Sequence, residues 1–124
     1  MIFVFGSNEA GIHGGGAAAF AVRKHGAIFG QGVGRQGNSY AIPTMDARIS
    51  PLPLAQIARY VDAFLAFARA HPSDQFQVTA VGCGIAGFTH AEIAPLFSAA
   101  PENCLFDEAW RPFLGPAKNY WGTF

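Results

Sequence analysis

Charge is scarce in this chain. Asp, Glu, Lys and Arg make up 13% of its 124 residues, and eight basic residues balance eight acidic ones. Duplex nucleic acid is therefore not expected as a partner, because a surface that tracks phosphates needs clustered Lys and Arg. Cysteine is nearly absent. Cys83 and Cys104 stand in unlike contexts, which gives neither a disulfide framework nor a zinc site, and both read as reduced thiols. Long apolar runs are missing too: Met1-Ile2-Phe3-Val4-Phe5 has no basic flank and meets Gly6 at once, too short for a signal-peptide core or a membrane span. A cytoplasmic protein with no membrane partner is the expectation. No metal set and no cofactor are indicated.

What the chain has instead is glycine, in three clusters beside apolar runs: Gly11-Ile12-His13-Gly14-Gly15-Gly16, Gly30-Gln31-Gly32-Val33-Gly34-Arg35-Gln36-Gly37 and Gly82-Cys83-Gly84-Ile85-Ala86-Gly87. Glycine loses more backbone entropy on folding than any other residue, so three clusters suggest a ligand that backbone N–H groups approach closely. Phosphate fits, above all where such a loop opens a helix. The length suits one domain, residues 1–124, and a 51% hydrophobic content with twelve Phe residues predicts a large aromatic core.

Along the chain, Ile2 to Phe5 reads as a short central strand and Ala17 to His25 as a helix stopped by Gly26. Ala27 to Phe29 and Tyr40 to Ile42 are extended candidates, with Pro43 ending the latter. The GxGxxG pattern at Gly32, Gly34 and Gly37 is not a dinucleotide fingerprint, because extended residues and not a helix follow it. Pro53 opens a helix to His71, with Leu54, Ile57, Val61, Phe64, Leu65 and Ala68 at core spacing and Pro72 as the stop. Phe76 to Val81 reads as a second central strand, Thr89-His90-Ala91-Glu92 as a capping box with Pro95 interrupting or restarting its helix, and Cys104 to Phe106 as a last strand. Residues 110–124 read as a tail over the body. The alternation gives an α/β layered domain, whose ligands bind at the carboxyl ends of the central strands, where the first and third glycine clusters fall.

Three segments carry a family resemblance: Phe5-Gly6-Ser7-Asn8-x-x-Gly11-x-His13-Gly14-x-Gly16-Ala17-Ala18, then Gly37-Asn38-Ser39-Tyr40-Ala41-Ile42-Pro43-Thr44, and Gly82-Cys83-Gly84-Ile85-Ala86-Gly87. Together they resemble the macrodomain-like proteins, most closely a small phage and prophage branch. The resemblance implies a single three-layer α/β/α domain with a central mixed sheet and a cleft for ADP-ribose or a related nucleotide, held by glycine loops around the pyrophosphate. Its implied partners are that nucleotide or an ADP-ribosylated protein, and its implied chemistry is hydrolysis of ADP-ribosyl linkages. In the branch that frees ADP-ribose from acidic side chains, a lysine follows the middle strand and an aspartate sits in the last glycine loop. Here Met45 and Asp46 stand at the first place and Ala86 at the second. A non-catalytic binding module, or a structural protein whose glycines only make turns, are the other readings.

The expected ligand-binding residues are Asn8, Gly14, Gly15, Gly16, Gly82, Cys83, Gly84, Ile85, Ala86, Gly87 and Phe88. Asn8 is placed either for a ribose hydroxyl or for an Asx-turn. Asp46 and His13 are the catalytic candidates, a carboxylate beyond a strand end and an imidazole among glycines, each with a turn or packing role as its alternative. Glu9 is either a carboxylate in the cleft or, the favoured reading, a complement to a helix N-terminus. Cys83 is a nucleophile candidate with no visible base, better read as a buried thiol. Phe88, Tyr40 and Trp110 are core aromatics before they are stacking platforms for adenine. His25, His71 and His90 fall at helix ends.

Overall fold

The opening apolar run forms β1 (Ile2–Asn8), longer than the expected Ile2 to Phe5 because Gly6, Ser7 and Asn8 stay in the ladder. In the computed structural model, which describes residues 1–124, β1 lies near the middle of a six-stranded mixed sheet. The other strands are β2 (Gly34–Gln36), β3 (Ser39–Met45), β4 (Phe76–Val78), β5 (Cys104–Asp107) and β6 (Asn119–Gly122), in the spatial order β2-β3-β1-β4-β5-β6. Every pair is parallel except β2 with β3.

Strand side chains alternate between faces, and β1 shows the consequence. Ile2 and Val4 enter one cluster with Ile57, Val61 and Phe64 of helix α2 (Leu54–Ala70), while Phe3 and Phe5 enter another with Ala18 and Ala21 of helix α1 (Gly16–Lys24). Helices therefore cover both faces, as an α/β layered domain requires. The α2 side is the larger core. Phe64 meets Tyr40 and Phe76 edge-on at ring distances of 5.0 and 5.4 Å, and full burial of such a ring is worth about 1.5–3 kcal/mol. The expected core spacing of α2 holds at Ile57, Val61, Phe64, Leu65 and Ala68, all buried, with Leu54 packed at their edge. Its end is closed by Asn103 Nδ2, which reaches Ala68 O at 2.9 Å and His71 O at 3.0 Å.

The second glycine cluster makes a hairpin. Gln36 pairs with Ser39, so Gly37-Asn38 is a two-residue turn with Gly37 at φ 57°, the left-handed geometry that position needs. Four expectations change. Ala27 to Phe29 is not a strand but a turn held by Gln36 Oε1, which accepts from Ile28 N at 2.7 Å. Pro43 does not end β3, because β2 pairs only as far as Ala41 and leaves no ladder on that side at Pro43, while on the other side pairing with β1 runs on to Met45. β4 stops at Val78, since Val81 N turns back to Thr79 O at 2.8 Å. Residues 110–124 are more than a covering tail. They bury Trp110 completely, form a short helix α4 (Arg111–Leu114) and add β6 to the sheet. Beyond β6 the chain packs Phe124 against Phe3 and Phe20, with ring centroids 5.7 and 5.2 Å away.

The capping box is present. Thr89 and Glu92 bond reciprocally at the start of helix α3 (His90–Ile93), and Pro95 restarts the chain as a 3₁₀ turn over Ala94–Phe97. No helix is long and apolar enough to cross a membrane.

Candidate functional site: a glycine-walled cleft at the switch point

From β1 the chain runs by way of α1 to β3 on one side, and then crosses by way of α2 to β4 on the other. The strand order therefore reverses between β1 and β4, and their carboxyl ends open a crevice there. A cleft of about 670 Å³ occupies that crevice, walled by the loop after β1, the start of α1, the end of β3, the loop after β4 and the end of β5.

Its most distinctive surface is backbone. The N–H groups of Gly14 through Ala18 and of Gly84, Ile85 and Ala86 donate to no group in the protein. α1 has no side-chain cap and no acidic residue in its first turn, so the positive end of its dipole is uncompensated. A Cβ on Gly14, Gly16 or Gly84 would meet nothing within 4 Å. The third loop is closed on itself by Gly87 N to Gly84 O (3.0 Å) and Phe88 N to Gly82 O (2.9 Å), and Gly82 at φ 77° supplies the bend.

Of the residues expected at the site, Asn8, Gly14, Gly15, Gly16, Gly82, Cys83, Gly84, Ile85 and Ala86 line the cleft. The Asn8 amide is spent on the loop: its Nδ2 donates to Ile12 O at 2.8 Å and its Oδ1 accepts from Ile12 N at 3.0 Å. Gly87 and Phe88 lie outside the lining, and Phe88 packs on the larger core. The two catalytic candidates are elsewhere. His13 is 3% exposed, wedged edge-on between Phe5 and Phe29, with Nε2 donating to Gln31 O at 2.9 Å. Asp46 points into its own turn, where Oδ1 accepts from Arg48 N and Ser50 N. Neither lines the cleft. Glu9 accepts from the Tyr60 hydroxyl, a bond that raises the phenol above its ordinary pKa, and ties the first loop to α2.

Sequence reasoning missed Asp107 and His90. Asp107 lines the cleft at the end of β5 and is 3% exposed. Oδ1 accepts from Ala109 N, and Oδ2 from Thr123 Oγ1 and Phe124 N. A polar residue directly after the apolar Cys104-Leu105-Phe106 strand was the available signal. His90 was expected only at a helix end. It also lines the cleft, and Trp110 Nε1 donates to its Nδ1 at 3.0 Å, so the neutral ring carries its proton on Nε2. Cys83 lines the same cleft, its thiol pushed up to about 11, first by burial and then by the charges of Glu92 and Asp107, against a hydrogen bond with Trp110. No Lys or Arg lines the cleft.

Comparison with protein-family models, with curated proteins and with solved structures finds no match to this chain.

Proposed function

We propose that this protein is a macrodomain-like module that binds ADP-ribose or a related nucleoside diphosphate in the switch-point cleft, without turning it over. One observation carries the reading: residues with unpaired backbone N–H groups, from an uncapped helix N-terminus and from the Gly84–Ala86 loop, line one cleft together. Such donors hold phosphate oxygens without a cationic side chain. A cleft of about 670 Å³ has room for much more than the phosphates.

The side chains favour binding over hydrolysis. Asp107 is engaged by three donors and Nδ1 of His90 by the indole. Cys83 stays a thiol at neutral pH. Asp46 and His13, the acid–base candidates, serve a turn and a packed ring pair. A general base must reach the proton it takes, and none of these groups is free in the cleft to do so.

The test is calorimetry and thermal melting with ADP-ribose, NAD, cyclic ADP-ribose and mononucleotides. A ligand at ~100 times its dissociation constant adds about 2.7 kcal/mol of stability. No heat and no melting shift at millimolar ADP-ribose overturns the binding reading. Rapid single-turnover release of ADP-ribose from a glutamate-modified protein overturns the non-catalytic part.

A further inference from the structure

Ten large apolar side chains are exposed on this protein, and four of them, Ile12, Ile49, Ile85 and Phe124, line the one cleft. The three isoleucines come from three different loops, those after β1, β3 and β4. Ile85 is 77% exposed, the most of any large apolar residue, and its Cδ1 lies 3.9 Å from where a Cβ on Gly15 would stand. It thus reaches across the mouth of the cleft to the start of α1.

Ile49 is stranger. It is 41% exposed and is the only non-glycine residue in the left-handed region, at φ 62°. A β-branched side chain strains that conformation, which glycine or asparagine adopts far more readily. The surrounding turn enforces it. Asp46 Oδ1 accepts from Arg48 N at 2.8 Å and Ser50 N at 3.1 Å, Asp46 N donates to Ser50 O at 2.8 Å, and Met45 bridges Pro51. Nothing in the fold rewards a strained, exposed isoleucine here, and such outliers cluster at ligand clamps.

We infer that Ile12, Ile49 and Ile85 form an apolar clasp for the nucleoside part of the cleft's ligand, with Asp46 as the positioning residue for the Ile49 arm. This rests on the nucleoside diphosphate reading. The clasp also supplies what the missing Lys and Arg would otherwise provide. Backbone N–H groups hold an anion more tightly once water is excluded, and a sugar or base seated on three isoleucines excludes it. Phosphate groups alone, which close nothing, bind weakly.

The test is calorimetric titration of ADP-ribose and of inorganic pyrophosphate into the wild type and Ile49→Gly, Ile85→Ser, Asp46→Ala and Asp46→Asn, with melting temperatures alongside. ADP-ribose affinity is expected to exceed that of pyrophosphate, and to fall about fivefold or more in Ile49→Gly, Ile85→Ser and Asp46→Ala. Asp46→Asn, which keeps an oxygen to accept both turn N–H groups, rescues affinity to within about twofold. Ile49→Gly melts higher than the wild type while binding more weakly, a combination that a purely structural residue does not give. If the wild type binds ADP-ribose and both isoleucine variants match it, or if pyrophosphate binds as tightly, the clasp is overturned and the binding reading stands. If Asp46→Asn loses as much as Asp46→Ala, the positioning role is overturned. If the wild type binds none of these ligands, the nucleoside diphosphate reading fails and the clasp with it.

Discussion

Glycines at two places in this protein do opposite things. Gly11 and Gly32 sit where two loops press together: a Cβ on Gly11 would strike the Gly30–Gln31 backbone, and one on Gly32 would strike Asn8 O. Gly14 and Gly84 face open space in the cleft with no left-handed φ; Gly16 faces it too, but its φ of 56° is itself a reason for glycine. The first kind is required by packing of backbone on backbone. The second leaves room for something outside the chain. Composition counts the two alike, and only the backbone φ and the distance to the nearest neighbour separate a glycine that holds the fold from one that keeps a surface bare.

The largest effect expected from this contrast is on stability. Gly32→Ala must move Asn8 and should cost more than about 3 kcal/mol or prevent folding, because overpacking against backbone cannot relax by a rotamer change. Gly14→Ala should stay within about 0.5 kcal/mol of the wild type. Urea denaturation of both variants checks this, and equal stabilities would break the division. Next in size is Gly84→Val. Its φ is not left-handed, so the fold should persist by circular dichroism, while ADP-ribose affinity falls at least about tenfold because the side chain stands before the loop's N–H groups. Loss of fold would move Gly84 to the packed class.

Asp107→Ala sharpens the comparison from the far wall, where side chain and not backbone does the holding. Three donors lose their acceptor, for a loss of about 1–3 kcal/mol. Limited proteolysis should then clip Thr123 and Phe124 faster than in the wild type. The smallest effect concerns the thiols. Burial pushes Cys83 up to about 11 and Cys104 up to about 12, from an ordinary 9.0. Both folded-state values are raised, so their stabilising contribution is complete below about pH 9 and is lost as pH climbs through 9 to 12, where the unfolded chain releases protons first. Melting temperature against pH reads this once Cys83→Ser and Cys104→Ser are compared with the wild type, since Tyr40, Tyr60 and Tyr120 are raised as well and lose stability in the same direction. Iodoacetamide labelling of Cys83 at pH 8 should run slower than that of a free cysteine.

Much of the fold was legible because it follows from periodicity and stops. The core face of α2 needed only the spacing of Ile57, Val61, Phe64, Leu65 and Ala68 before Pro72, and the Thr89–Glu92 box announced α3. β6 was hidden, since Asn119-Tyr120-Trp121-Gly122 is short, half exposed and paired along one edge only. At the site, glycine spacing found the two loops. It missed Asp107, His90 and Ile49, whose significance lies in which strand ends the topology brings together. Asp46 was noticed for its carboxylate, and its visible work is to hold a turn.

The first strand of the chain lies between two strands made much later. β1 takes its neighbours from residues 39–45 on one side and 76–78 on the other. During synthesis, Ile2 to Phe5 therefore has no neighbour until β3 has emerged, about a third of the way along the sequence, and keeps one open, adhesive edge until β4 emerges at about two-thirds. Parallel pairings between such distant segments form slowly and leave edges open to other chains in the meantime. Refolding should accordingly be slow for a protein of this length and its yield should fall with rising concentration, so the same arrangement that places the cleft at the centre of the sheet leaves the emerging chain exposed to association with its own copies.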